Sequence, residues 1–191
     1  MNEKTVHFIR AAIAVMTGRR EALSAFDVSA DGFWGSFQAI VVSLPALAIG
    51  WYGAALRGAA EPEAMAFDRL IAAYAATDLA AWIAPLALFG LASKPLGLGD
   101  RFAPYVVATN WGSVPILWLM LPGAIADVFL PPDNPFSALL SFALFGLALA
   151  LTWRLTETAI GKGPAIGTAV FVAMFTAGLL TLAGMQALLG V

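Results

Sequence analysis

The chain has 191 residues, of which 61% are hydrophobic and only 12% charged, with a formal net charge of −2. A soluble domain carries about 45–50% apolar and about 25% charged residues, so a chain this short has too few charges to cover its apolar surface in water; a lipid bilayer removes that demand. There is no basic stripe for nucleic acid. The absence of cysteine excludes disulfides, thiolate metal sites and cysteine nucleophiles, and the single histidine, His7, excludes a multi-histidine metal centre.

In chain order, the start does not read as a cleaved signal. Met1 to Arg10 mix acid, base and histidine, the apolar stretch Ala11–Met16 is short, and Arg19 and Arg20 fall where small residues would mark a cleavage site. The first long span is therefore expected to act as an uncleaved insertion signal. Within residues 4–18, Val6, Ile9, Ile13 and Met16 recur at helical spacing, joined by Phe8 and Val15, while His7, Arg10, Ala14 and Thr17 form the other face. This pattern predicts an N-terminal amphipathic helix. Either it lies in the interface with its cations toward anionic head groups, or it packs on the cytoplasmic ends of the bundle; His7 has no catalytic role in either arrangement. Asp31 or Ser29 is expected to cap the next helix.

Apolar segments of about 18 or more residues read as membrane spans, and the backbone inside lipid must satisfy its own hydrogen bonds as helix. Five follow: Phe33–Ala55, Leu70–Ala92, Ala103–Ala126, Ser137–Trp153, the shortest, and Ala165–Leu189. The predicted fold is all-α, one polytopic membrane domain over residues 1–191: an interfacial N-terminal segment, 1–32, and a five-helix bundle, 33–191. Ser93–Asp100, Pro131–Pro135 and Gly161–Pro164 punctuate the spans, with Pro164 suited to a first helical turn. Lys4, Arg10, Arg19, Arg20, Lys94, Arg101, Arg154 and Lys162 all fall on one side of a five-span chain. The other side has Arg57 and Arg69, accompanied by Glu61, Glu63 and Asp68. The positive-inside rule then puts the N-terminus in the cytoplasm and Val191 outside, and the chain is expected in a bacterial inner membrane. Trp34, Trp51, Tyr52, Tyr105 and Trp153 lie near span ends, as an aromatic belt requires.

Asp78 is the outlier. It sits eight residues into the second span, about 12 Å from the outer end at ~1.5 Å per residue, where a carboxylate costs at least about 2.5–3.5 kcal/mol. It must face the bundle or a wet cavity, or hold its proton. Tyr74 and Trp82 flank it on one helix face, Ser43 and Thr176 could reach its level, and no Lys, Arg or His lies at that depth for a salt bridge. It is either a protonatable or cation-binding site or a hydrogen-bonded clasp between helices. Asn110, beside Trp111 in the third span, could line a polar notch, and an interhelical hydrogen bond is the expected role. Asp127, at the outer end of that span, is expected to be solvated. Pro45, Pro85, Pro115 and Pro122 free the carbonyls of Val41, Ala81, Trp111 and Trp118. Gly161, Ala165, Ala169, Ala173, Ala177 and Thr181 form a small-residue row, expected to pack within the monomer rather than as a dimer face. Phosphate-loop, zinc-protease, nucleophile-elbow and dinucleotide motifs are absent, and no cofactor is expected.

Arg101-Phe102-Ala103-Pro104-Tyr105, then Asn110-Trp111 and Pro115, and the short Gly161–Ala165 connector give spans two to five a layout that resembles the Yip-domain family of small five-span membrane proteins. Phe26–Trp34 looks more like uncharacterised bacterial membrane proteins. The family resemblance implies a cytoplasmic N-terminus, five helices and a scaffolding or trafficking-type role without catalysis, and it carries over no site residue.

The expected function is that of a non-enzymatic scaffold, partner-binding or lipid-interacting component whose partners are the bilayer and other membrane proteins. The alternative is a small transporter or channel using Asp78. A membrane enzyme is disfavoured because one isolated acid cannot supply a catalytic group and its partner. Cavity shape separates the first two: a closed bundle favours scaffolding, a wet path to Asp78 favours transport. The charge bias predicts that alkaline phosphatase fused after Val191 is active and that the same fusion within Lys94–Asp100 is silent; the reverse pattern, or activity at both sites, excludes the five-span topology.

Overall fold

A computed structural model describes residues 2–61, 65–131 and 134–191. Met1, Glu63 of the outer charge set, and Pro132 and Asp133 of the predicted turn lie outside the described residues. The chain is all-helical: α1 Glu3–Met16, a 3₁₀ turn Arg20–Ala25, α2 Ala30–Gly35, α3 Gln38–Gly58, α4 Phe67–Ser93, a 3₁₀ turn Gly99–Arg101, α5 Phe102–Phe129, α6 Pro135–Ile160 and α7 Pro164–Leu189. Five helical segments are long and apolar enough to cross a membrane, α2 and α3 together making the first.

The ends of these helices follow from local chemistry. Ser29, not Asp31, caps α2, its hydroxyl accepting from the Gly32 N–H at 3.2 Å. Asn134 caps α6 through the N–H groups of Phe136 and Ser137, with Pro135 in the first turn, and Pro164 takes the same place in α7. Gly161 ends α6 in the left-handed region, φ 60°, where a side chain would be strained. The fourth span runs to Ile160, well beyond the predicted Trp153. Arg154 and Glu157 end the apolar run but not the helix, because Glu157 is buried and its Oε2 accepts from Arg20 Nη2 at 2.9 Å.

The five long helices form a ring. α3 packs on α4 and α5, α5 continues to α6, α6 to α7, and α7 closes back onto α4, while α4 and α5 touch only slightly across the middle. The charge-rich connectors meet at one end: Lys162 Nζ lies 3.5 Å from Asp100 Oδ2, and Arg101 reaches Gly161. At the opposite end Gly190 approaches Met65, and Gly53 approaches Val128.

α1 packs on the bundle, across α5 and α6. Its buried stripe is Thr5, Phe8, Ala11, Ala12, Val15 and Met16, offset from the predicted one. Phe8 stacks at 5.3 Å from Trp111, and Met16 abuts Gly112. Val6 and Ile9 are half-buried and Ile13 is 44% exposed. Ala11 and Ala12 let the backbone of α1 approach its neighbours, with Phe8, Val15 and Met16 of the predicted set buried beside them and Ile13 turned outward. Lys4 ties the start of α1 to Asp27 at 3.7 Å. The Ser29 hydroxyl and backbone N–H, with Lys4 beyond them, hold the Asp27 carboxyl below the usual carboxylate range.

The small-residue row of α7 behaves differently from expectation. Ala165, Ala169 and Ala173 are exposed on the outside of the ring, whereas the buried positions are Gly167 and Val170. The period of four drifts around a 3.6-residue helix, so the row cannot hold one face against a neighbour. Close approach rests on Gly167 instead, where an added Cβ would lie 2.7 Å from the Glu157 Cα. Gly167→Ala must therefore push α6 and α7 apart and should cost about 1–3 kcal/mol. Gly184→Ala, with nothing within 4 Å of the new Cβ, should stay within about 0.5 kcal/mol of wild type. Thermal melts of the two variants in detergent measure the difference.

Candidate functional site

α4 and α5 meet through side chains, Trp82 on Asn110 and Phe89 on Tyr105, with few backbone approaches, and the ring surrounds an open pocket of about 510 Å³. It runs from Met16, Tyr105 and Thr156 near the charged end toward Met120 and Leu182. Most of its wall is apolar. The polar exceptions include Asp78 on α4, Asn110, Thr109 and Ser113 on α5, and Thr152 on α6. Both intramembrane polar residues singled out in the sequence thus face one space.

Asp78 is half-buried and its Oδ2 accepts from Trp51 Nε1 at 2.7 Å. The partner is neither of those expected. Ser43 is fully buried with its hydroxyl unpaired, and Thr176 is exposed. Ser43 lies eight residues before Trp51 on α3, about 12 Å along the helix axis, and Thr176 turns out of the ring. Trp51 is correspondingly drawn inward from the predicted aromatic belt. No Lys, Arg or His pairs with Asp78 among the described residues. Trp82, one turn along from Asp78, lines the cavity as the i+4 spacing implies.

Asn110 is buried and makes the interhelical bonds expected of it. Its Oδ1 accepts from Trp82 Nε1 at 2.9 Å, and its Nδ2 donates to Ser36 Oγ at 2.8 Å. Ser36 passes its proton on to the Phe33 carbonyl at 2.7 Å. Three spans are joined by one amide, at the junction of α2 and α3. Trp111 does not share a notch with Asn110; it turns to Phe8 of α1. Tyr105, also assigned to the belt, is buried against Phe89 at 4.9 Å. Trp34, Tyr52 and Trp153 remain outward, at 72%, 46% and 37% exposure.

Two hydroxyls of the wall present their oxygens to the pocket. Thr109 donates its hydroxyl proton to the Tyr105 carbonyl at 2.8 Å, and Ser113 donates to the Thr109 carbonyl at 2.9 Å, leaving oxygen lone pairs. Pro85 lines the cavity and cannot donate to the Ala81 carbonyl, on the same wall. The residues that sequence reasoning missed, Thr109, Ser113 and Trp51, carry no individual signal; hydroxyls and indoles are ordinary in spans, and only the ring brings them to Asp78. No cluster of three His, Cys, Asp or Glu side chains suited to a metal exists among the described residues.

Replacing Asn110 with Leu leaves the Trp82 N–H and the Ser36 hydroxyl without their partner and should cost about 1–3 kcal/mol. Ser113→Ala, which breaks only a bond within α5, should cost well under half of that. Detergent melts that rank the two variants the other way would remove Asn110 from its structural role.

No family model, no curated protein and no solved structure matches this chain.

Proposed function

We propose that this chain is a non-enzymatic integral membrane protein that holds a small amphipathic molecule in the cavity at the centre of its helical ring. The observation that carries the reading is the cavity itself. A volume of about 510 Å³ falls within the roughly 300–1,000 Å³ of small-molecule sites, which are mostly apolar with a few placed polar groups. A scaffold would need no such space, since close helix packing gives dispersion contacts that a cavity forfeits. The lipid-interacting form of the expected function is therefore favoured over the scaffolding or trafficking-type role that the Yip-domain resemblance implies.

Transport through the same cavity is a second reading, favoured by the position of Asp78 on its wall. The cytoplasmic end is then the one bearing Lys94, Arg101, Arg154 and Lys162, where α1 covers the ring, in a bacterial inner membrane with the C-terminus outside. A catalytic reading gains no support, because Asp78 is the one carboxylate among the lining residues and its hydrogen bond goes to the Trp51 indole rather than to a second acid or base.

The test is occupancy. Protein purified from its native membrane should carry an amphipathic small molecule that solvent extraction and mass spectrometry recover in proportion to the chain. Ala148→Phe, which fills the cavity from α6, should lose that molecule while keeping its helical circular dichroism. Equal recovery from both proteins would place the molecule elsewhere and reject the cavity as the site.

A further inference from the structure

The wall around Asp78 has a definite polarity. It offers one carboxylate, whose only hydrogen bond among the described residues is the one accepted from Trp51. It offers the Thr109 and Ser113 oxygens, whose protons are committed to their own helix, and the Ala81 carbonyl freed by Pro85. Near Asp78 the Trp82 indole N–H is committed to Asn110, and one Asn110 N–H is committed to Ser36. One acidic group with hydroxyl oxygens on the same wall, and no Lys, Arg or His among the lining residues, complements a positive charge. The aromatic residues Trp82, Phe171 and Phe175 also line the space, and an aromatic ring attracts a cation placed over its face.

We infer that the cavity is a binding site for a lipophilic organic cation, with the Asp78 carboxylate as its counter-charge and the Thr109, Ser113 and Ala81 oxygens as the surrounding acceptors. The inference rests on the cavity-binding reading above and specifies its ligand. A small metal ion fits less well. Calcium needs about six to eight oxygen ligands and magnesium an octahedral set, whereas this wall is mostly apolar. An organic cation places its charge at the acceptors and its carbon framework against Ile116, Leu149 and Leu182.

The probes are methyltriphenylphosphonium and its uncharged carbon isostere, triphenylethane, which share a shape and differ in charge. Each is titrated into purified full-length protein in detergent, and bound probe is counted by native mass spectrometry. Wild type should bind the phosphonium at least about tenfold more tightly than the isostere, as expected where a carboxylate is matched inside a low-dielectric site. Asp78→Asn keeps an acceptor for Trp51, so the fold should persist with an unchanged melt, and the preference for the phosphonium should disappear while isostere binding stays. Magnesium and sodium chloride at matched ionic strength should displace the phosphonium no better than each other. The wild-type comparison alone decides if the variant fails to fold. Equal binding of the two probes to wild type, or a preference that survives Asp78→Asn, overturns the cation inference and leaves the cavity reading standing. Binding of neither probe, together with failure to recover any molecule lost on Ala148→Phe, overturns both. Displacement by magnesium far below the sodium concentration assigns Asp78 to an inorganic ion and overturns the inference.

Discussion

Inside hydrocarbon, a polar group without a partner is penalised more heavily than in water, and the bundle is organised around satisfying one amide. Asn110 has two hydrogen-bonding ends, and it uses the Trp82 indole for one and Ser36 for the other. That fixes the rotation of α4 and α5 about their axes and sets where the first span must break between α2 and α3. Once α5 is rotated so that Asn110 points to α3 and α4, Trp111 and Gly112 point to α1, and Thr109 and Ser113 line the cavity wall. The same rotation presents Phe8 and Met16 of α1 with a ready surface.

The ring follows from where close packing is possible. α6 and α7 approach through Gly167, and α5 meets α6 and α1 at Gly112, where an added Cβ would run into Leu155 and Met16. α4 meets α5 at Gly90, where an added Cβ would lie 3.2 Å from the Phe102 ring, and the two helices make few other close backbone approaches. A cavity in a membrane bundle forgoes dispersion contacts along its lining. The loss is spread over a wall in which most of the polar atoms already have partners, and the pairs α4–α7, α5–α6 and α3–α5 carry the cohesion. Asp78 sits where that cohesion is weakest, held by Trp51 from α3 and facing the open space.

At the charged end the arrangement is electrostatic as well as steric. Arg20 pairs with the buried Glu157, so α6 extends past its apolar run as a helix. The segment after α1 is thereby tied to the end of α6, and Lys4 is tied to Asp27. These pairs fasten the N-terminal segment over the ring, with Met16 reaching the cavity.

The sequence by itself determined the membrane class, the five spans, the side on which the cations gather, and the presence of Asp78 and Asn110 as costly intramembrane polar groups. Each depends on hydropathy, length or charge count, which are local quantities summed along the chain. It also identified an amphipathic α1, because apolar periodicity survives in any arrangement. Which stripe of α1 is buried was not legible: two adjacent stripes are apolar, and the contact surface of α5 and α6 chose the one with alanines. The partner of Asp78 was not legible either, since residue counting along a span does not fix how far α3 slides past α4, which brings Trp51 rather than Ser43 to Asp78, nor the rotation that turns Thr176 away. Span four looked short because the apolar run ends at Trp153, before Arg154, whereas the helix continues to Ile160 with Glu157 paired to Arg20 from another segment. The small-residue row of α7 suggested one packing face, but Ala165, Ala169 and Ala173 are exposed, Ala177 and Thr181 half-buried, and the close approach to α6 is made at Gly167. Cavity, ring and acceptor wall exist only in the assembled bundle, because each depends on the relative rotation of helices that hydropathy along one chain does not encode.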